Sequence, residues 1–246
     1  MAMEAVQQIQ PDNRVISGYY VKEAQFMNPI VVKEAWEDRT ETMLHLRPVK
    51  RPYEKESTWS DITIYAFYDD RWTECFKASV QVEYEDPAQA DVKEERRQAH
   101  QRIADKFLEA QTSCTRPVDS QVFYEDATEH GLAYGEAFQV IEDIRWDGKA
   151  NTVARVDMSK WKTTSLVHPV VLDSAFHALR VSTTSGLDLS NATNVPVRLV
   201  DGWFSQTGWQ QPETSSVKWF ATSEVKGGKE SDEGSIYAIA DNGSVL

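Results

Sequence analysis

The chain has 246 residues, 41% of them hydrophobic, with 8 Trp, 9 Tyr and 9 Phe; that is enough apolar volume for a packed core and excludes a disordered chain. Its 39 Asp and Glu outnumber 26 Lys and Arg, and a net charge of −13 argues against nucleic acid as a partner, because phosphates need a basic face. No apolar run nears the roughly 18 residues of a membrane helix, and no signal peptide is visible. Cys75 and Cys114 form neither a disulfide framework nor a metal-ligand spacing, so a cytoplasmic setting without a membrane is expected.

Residues 1–10 read as an amphipathic helix, with Met3, Val6 and Ile9 at helical spacing and Pro11 after it. Ile62, Ile64 and Ala66 alternate with polar residues, as do Phe76, Ala78, Val80, Val82 and Tyr84. These are two strands, and Tyr68-Asp69-Asp70-Arg71 is the hairpin turn between them. Asp86-Pro87 closes this part. Residues 87–116 are dense in charge and helix formers, with Ile103, Phe107 and Leu108 late in the run. They read as a linker helix, exposed first and packed at its end, with His100 facing solvent. Strands follow over Tyr134–Trp146 and Thr152–Met158, joined at Asp147-Gly148. A helix runs from Leu172 to about Val181, then strands at Val195–Ser205, Val217–Thr222 and Ser235–Ala240, with Gly227-Gly228-Lys229 in the last loop. The division is an N-terminal part (1–86), a charged linker helix (87–116) and a C-terminal part (117–246). Periodicity by itself defines an α+β protein with antiparallel sheets.

The chemistry concentrates in His168-Pro169-Val170-Val171-Leu172-Asp173-Ser174-Ala175-Phe176-His177. With a helix starting at Leu172, Asp173 and His177 are four apart and share a face with Leu172, Phe176 and Leu179. A carboxylate in the first turn of an apolar helix, one turn from an imidazole, suits proton transfer in a dry pocket. The same spacing serves a helix-capping Asp173 and a core histidine, and both readings stay open on spacing. Ser174 has no base spaced to activate it. The chain shows no phosphate-cradling glycine loop, metal-ligand cluster or Gly-x-Ser-x-Gly elbow.

That segment resembles the second active-site motif, HPxxLDxxxQ or HPxxLDxxxH, of polyketide synthase dehydratase domains. Gly131-Leu132-Ala133-Tyr134-Gly135-Glu136-Ala137-Phe138-Gln139 is similar to the family's GxxYGxxFQ. Val195-Pro196-Val197-Arg198-Leu199 resembles its VPVRI strand, Phe26–Val32 its F..PIVL strand, and Glu41–Pro48 its ET.L.LRP strand. The motifs keep the family's order along nearly the whole chain, with a flavour closest to fungal highly reducing synthases. Two positions depart: Glu136 stands where the family has Pro, and Val140 where it has Gly. The family's other catalytic residue, a histidine in HxxxGxxxxPG, matches none of His45, His100, His130, His168 or His177. The resemblance thus implies a chain that begins just after that segment and stops before the last strands.

The fold implied is a double hotdog: two subdomains, each a helix wrapped by an antiparallel sheet, incomplete at both ends. The activity implied is loss of water from a 3-hydroxyacyl thioester to give a 2-enoyl thioester. Asp173 would be the general acid, its pKa raised by burial, with His177 orienting it or holding the hydroxyl. Tyr134, Gly135, Phe138, His168, Pro169 and Leu172 would line the substrate site, with Gly135 admitting close backbone approach and His168 shaping the loop. No metal or resident cofactor is implied; the substrate arrives on the phosphopantetheine of an acyl carrier protein. The carrier protein, the neighbouring synthase domains and the polyketide acyl chain are the partners implied, and a homodimer is compatible with the family. Lys50-Arg51, or Arg96-Arg97 with Arg102, would serve as a local basic docking patch. The alternatives are a product-template cyclisation domain, a non-catalytic scaffold or acyl binder of the same fold, and an unrelated α+β lipid-binding domain.

Overall fold

The structure, a computed structural model, describes residues 1–11, 13–32, 35, 39–50, 57–85, 90–161, 166–184, 186–187, 195–210, 215–224 and 233–246. In chain order the elements are α1 (Ala2–Gln8), β1 (Ile16–Phe26), β2 (Thr42–Val49), β3 (Trp59–Tyr68), β4 (Arg71–Tyr84), α2 (Ala90–Ser113), β5 (Arg116–Pro117), α3 (Ser120–Glu129), β6 (Ile141–Trp146), β7 (Asn151–Asp157), α4 (Pro169–Thr183), β8 (Arg198–Ser205), β9 (Ser216–Glu224) and β10 (Glu233–Ala240). They form two compact units, Met1–Asp86 with Val195–Thr207, and Pro87–Asn194 with Gly208–Leu246.

The first unit is a five-stranded antiparallel sheet in the order β2-β3-β4-β1-β8. The β3–β4 hairpin turns at Asp69 and Asp70 as the sequence predicts. Both have positive φ, 48° and 59°, the geometry whose twist matches antiparallel strands. Period-two burial follows: Ile62, Ile64 and Ala66 on β3, and Ala78, Val80, Val82 and Tyr84 on β4, are buried. Val6, fully buried, brings α1 against β4. Ile9 lies past the helix end and is 50% exposed. Strand β8 joins this sheet by pairing antiparallel with β1, Gly18 opposite Ser205. A Cβ at Gly18 would sit 2.7 Å from the Phe204 carbonyl, so this contact needs glycine. The sequence division places residues 195–207 within 117–246, but hydrogen bonding to β1 sets them in the first unit.

The second unit is a five-stranded antiparallel sheet, β10-β9-β7-β6-β5, with α4 packed on it. Val170, Val171, Ala175, Ala178 and Val181 form the buried face of α4. Each such valine contributes about 1.5–3 kcal/mol relative to exposure. The later part of helix α2 packs on this unit: Phe107 and Ala110, with Cys114 just beyond the helix, join Val153, Phe220 and Ile239 in its core. Leu108 points outward at 61% exposure, and His100 is half-buried rather than solvent-facing because it lies on the packed part of the helix. Asp147 turns β6 into β7, its Oδ1 accepting the N–H groups of Lys149, Ala150 and Asn151. Val245 bridges back to Ile239 beyond β10.

Two further expectations change. The predicted strand from Tyr134 begins only at Ile141. Gly135–Gln139 form a 3₁₀ turn over Glu136–Phe138, closed by the Phe138 N–H on the Gly135 carbonyl and by the Gln139 side chain on the Tyr134 carbonyl, both at 2.8 Å. Helix α3 was not predicted. Asp86-Pro87, Arg51 and Gly227-Gly228-Lys229 lie outside the described residues.

Candidate active site

The site helix starts at Pro169, one turn before the predicted Leu172. His168 is the N-cap: its Nδ1 accepts the Val170 N–H at 3.2 Å, and Pro169 occupies the first turn, where its missing N–H costs nothing. Asp173 is therefore in the second turn and caps nothing. The ring of His168 rests on Trp161, centroids 5.1 Å apart. Ser174 is structural, donating to the Val171 carbonyl at 2.6 Å and accepting from the Trp219 indole N–H at 2.8 Å.

The four-residue spacing delivers the expected pair. His177 Nε2 lies 3.1 Å from Asp173 Oδ2. The imidazole is 1% exposed while the carboxylate keeps 35% of its surface, so Asp173 is the end that another molecule reaches. The wholly dry surround expected for Asp173 is thus only partial. The dry member is His177, ringed by Tyr134 at 4.5 Å between centroids, Phe123 at 5.4 Å and Tyr124 at 5.6 Å. Tyr124 Oη lies 3.4 Å from His177 Nδ1, so both ring nitrogens have a facing group.

Tyr134 stands beside the pair. Burial, and then the negative charge of Asp173, push its phenol up to about 12, so it stays a neutral hydrogen-bonding group at ordinary pH. Gly135 has an ordinary φ of −64°, and nothing lies within 4 Å of where its Cβ would be. Phe138 is 38% exposed and joins the site through its backbone, its carbonyl 3.3 Å from Tyr124 Oη. Leu172 is half-buried on α4.

Three contributors were not read from the sequence. Phe123 and Tyr124 come from α3, whose N-cap Asp119 accepts the N–H groups of Gln121 and Val122. The signal was present: a capping aspartate, then Phe123 and Ala127 at helical spacing. Arg180, one turn beyond His177, donates to Asp126 of α3 at 2.7 Å, and both side chains are nearly buried. His130 lies 3.1 Å from the same carboxylate. Among the described residues no group of His, Cys, Asp and Glu could hold a metal ion, and no helix is long and apolar enough to cross a membrane. Arg97, offered as part of a docking patch, is engaged by Glu94 in a two-toothed pair on the same helix.

The arrangement is a part-exposed carboxylate 3.1 Å from an enclosed imidazole on a sheet-packed helix, and comparison with solved proteins gives that fold its class. The dehydratase domain from the CurK module of the curacin polyketide synthase superposes with a TM-score of 0.67 at 17% identity, covering 100% of this chain and 75% of that one. The dehydratase domain of PpsC from Mycobacterium tuberculosis, in complex with C12:1-CoA, superposes with a TM-score of 0.65 at 16% identity, covering 100% and 77%. The fold is a double hotdog of α+β class.

Residues 104–246 match the family described as the polyketide synthase dehydratase N-terminal domain, and the chain belongs to that family. Highly reducing polyketide synthase 2 of Gibberella zeae is 40% identical over 248 residues, covering 100% of this chain and 9% of that protein. Reducing polyketide synthase pksF of Alternaria solani is 27% identical over 227 residues, covering 83% and 10%. The chain therefore spans about a tenth of the length of these curated relatives.

Proposed function

We propose that this dehydratase domain removes water from a 3-hydroxyacyl thioester, presented on the phosphopantetheine of an acyl carrier protein, to give the 2-enoyl thioester. The observation that carries this reading is the Asp173–His177 pair: a part-exposed carboxyl held at 3.1 Å by an enclosed imidazole. Asp173 delivers the proton to the departing β-hydroxyl, and His177 orients Asp173. The enclosure of His177 supports the orienting role, because a substrate reaches the carboxyl more readily than the ring. Tyr134 positions the hydroxyl from beside Asp173, while the turn carrying Gly135 and Phe138, together with Leu172, lines the approach. His168 and Pro169 set the start of the helix.

The base that takes the α-proton is the histidine of the HxxxGxxxxPG segment, which this sequence does not contain, so the chain alone is inactive in this reading. Among the CurK dehydratase structures are an inactive His-to-Phe variant and an inactive Asp-to-Asn variant, which supports a histidine–aspartate requirement here. The domain works within a cytosolic multidomain synthase, with the carrier protein and neighbouring domains as partners.

The test is water loss, followed by mass spectrometry, from a 3-hydroxyacyl-pantetheine thioester. It is offered to this chain and to a version extended upstream through the HxxxGxxxxPG segment. Turnover is expected only in the longer version, and Asp173→Asn should lower it by about 10²–10⁴, the weight of one general acid. Binding of acyl-pantetheine without turnover in either version would replace this reading with an acyl-binding scaffold.

A further inference from the structure

The hydroxyl of Tyr124 is a junction of three groups. It accepts the Ile141 N–H at 3.2 Å and lies 3.3 Å from the Phe138 carbonyl and 3.4 Å from His177 Nδ1. A phenol has one proton to give, and the last two groups compete for it. Burial pushes the Tyr124 phenol up to about 12, so the hydroxyl remains protonated at any working pH. Meanwhile His177 Nε2 faces a carboxylate oxygen, Asp173 Oδ2, which when ionised only accepts. In a neutral imidazole one nitrogen donates and the other accepts. The carboxylate therefore asks for the tautomer with Nε2 carrying the proton, which leaves Nδ1 free to accept from Tyr124.

We propose that Tyr124 is a positioning residue of this site, whose hydroxyl donates to His177 Nδ1 and holds the ring in the Nε2–H tautomer, so that Asp173 Oδ2 is kept an acceptor. The consequence concerns Asp173 and rests on the dehydratase reading. With Oδ2 receiving the imidazole N–H, a protonated Asp173 must carry its own proton on Oδ1. That leaves the acid proton on the oxygen turned away from His177, where it can pass to the leaving hydroxyl. In the opposite tautomer, Nε2 would be an acceptor and would draw the carboxyl proton toward itself. The hydroxyl also tolerates a charged ring: if Nδ1 gains a proton, Tyr124 turns its own proton to the Phe138 carbonyl and accepts instead. One side chain of α3 thus joins the Glu136–Phe138 turn to the acid on α4.

The test uses the chain as it stands, with ¹⁵N-labelled histidine rings observed by NMR at about pH 8.5, above the ordinary imidazole range. His177 is assigned by its loss in His177→Gln. The expected wild-type spectrum shows His177 as the Nε2–H tautomer. Tyr124→Phe keeps the ring but removes the donor, and should raise the Nδ1–H share roughly fivefold, the weight of one neutral hydrogen bond. Asp173→Ala should keep the Nε2–H tautomer dominant, because Tyr124 still donates. An Nδ1–H wild type, an unchanged ratio in folded Tyr124→Phe, or loss of the preference in Asp173→Ala would each overturn the proposal. If Tyr124→Phe does not fold, the Asp173→Ala arm answers the question, since that side chain is part-exposed. No arm needs turnover, so a failed water-loss assay beside a held tautomer would count against the dehydratase reading and leave the Tyr124 assignment standing.

Discussion

Asp173 and His177 illustrate how much a four-residue spacing carries and where it stops. The spacing places both side chains on one helical face, and they meet at 3.1 Å. Which of them is enclosed does not follow from spacing, because it depends on rings supplied by Phe123, Tyr124 and Tyr134. Neighbouring Ser174 shows the structural counterpart. It is fully buried, and its oxygen is the acceptor for the Trp219 indole. Ser174→Ala strands that N–H in the core and should cost about 1–3 kcal/mol, seen as a lower urea midpoint with an unchanged slope. An unchanged midpoint would mean that the indole finds another acceptor. Cys114 is likewise inert by surroundings: it is buried in the core, and burial pushes its thiol up to about 11.

Helix α4 begins one turn earlier than the apolar pattern suggests, because His168 uses a ring nitrogen as a cap and the following proline suits the first turn. Histidine is not among the usual capping residues, so this start is hard to read from sequence. Helix α3 has an ordinary cap and spacing, Asp119 followed by Phe123 and Ala127, yet the expectations from sequence give residues 117–133 no element. The two helices are tied by Arg180 and Asp126 at 2.7 Å, with side chains 11% and 4% exposed. Removing one partner leaves the other charge buried without its counter-ion. Asp126→Asn should therefore cost about 3–5 kcal/mol and loosen α3, the source of Tyr124. Chemical unfolding measures the first effect. Amide exchange over Ser120–Glu129 measures the second, and protection equal to wild type would show that the ion pair does not hold this helix.

Across the molecule, a net charge of −13 makes acid response the natural probe of the carboxylates that fold. Burial opposes ionisation of Asp147, but the Asn151 and Lys149 backbone N–H groups, with further donors from Asn151 and Ala150, outweigh it and hold its carboxyl below the usual range. At Asp241 burial is likewise outweighed, by the hydroxyl and N–H groups of Ser216 and Ser215. A carboxyl with a lower pKa folded than unfolded adds stability that is fully present above the unfolded value of about 4 and is lost as pH falls through the folded value. The urea midpoint should hold steady above about pH 5 and fall below about pH 4. Asp241→Asn should lower the neutral midpoint and flatten that acid slope; a slope equal to wild type would remove Asp241 from the account. The sequence was sufficient for what depends on neighbours along the chain: the α+β class, the β3–β4 hairpin, and the Asp173–His177 pair, since period and spacing act locally. Pairing of β8 with β1, packing of α2 onto the second sheet and the aromatic enclosure of His177 came only from the tertiary structure. Each joins residues far apart in sequence, and burial of a shared apolar surface, to which spacing is blind, is what brings them together.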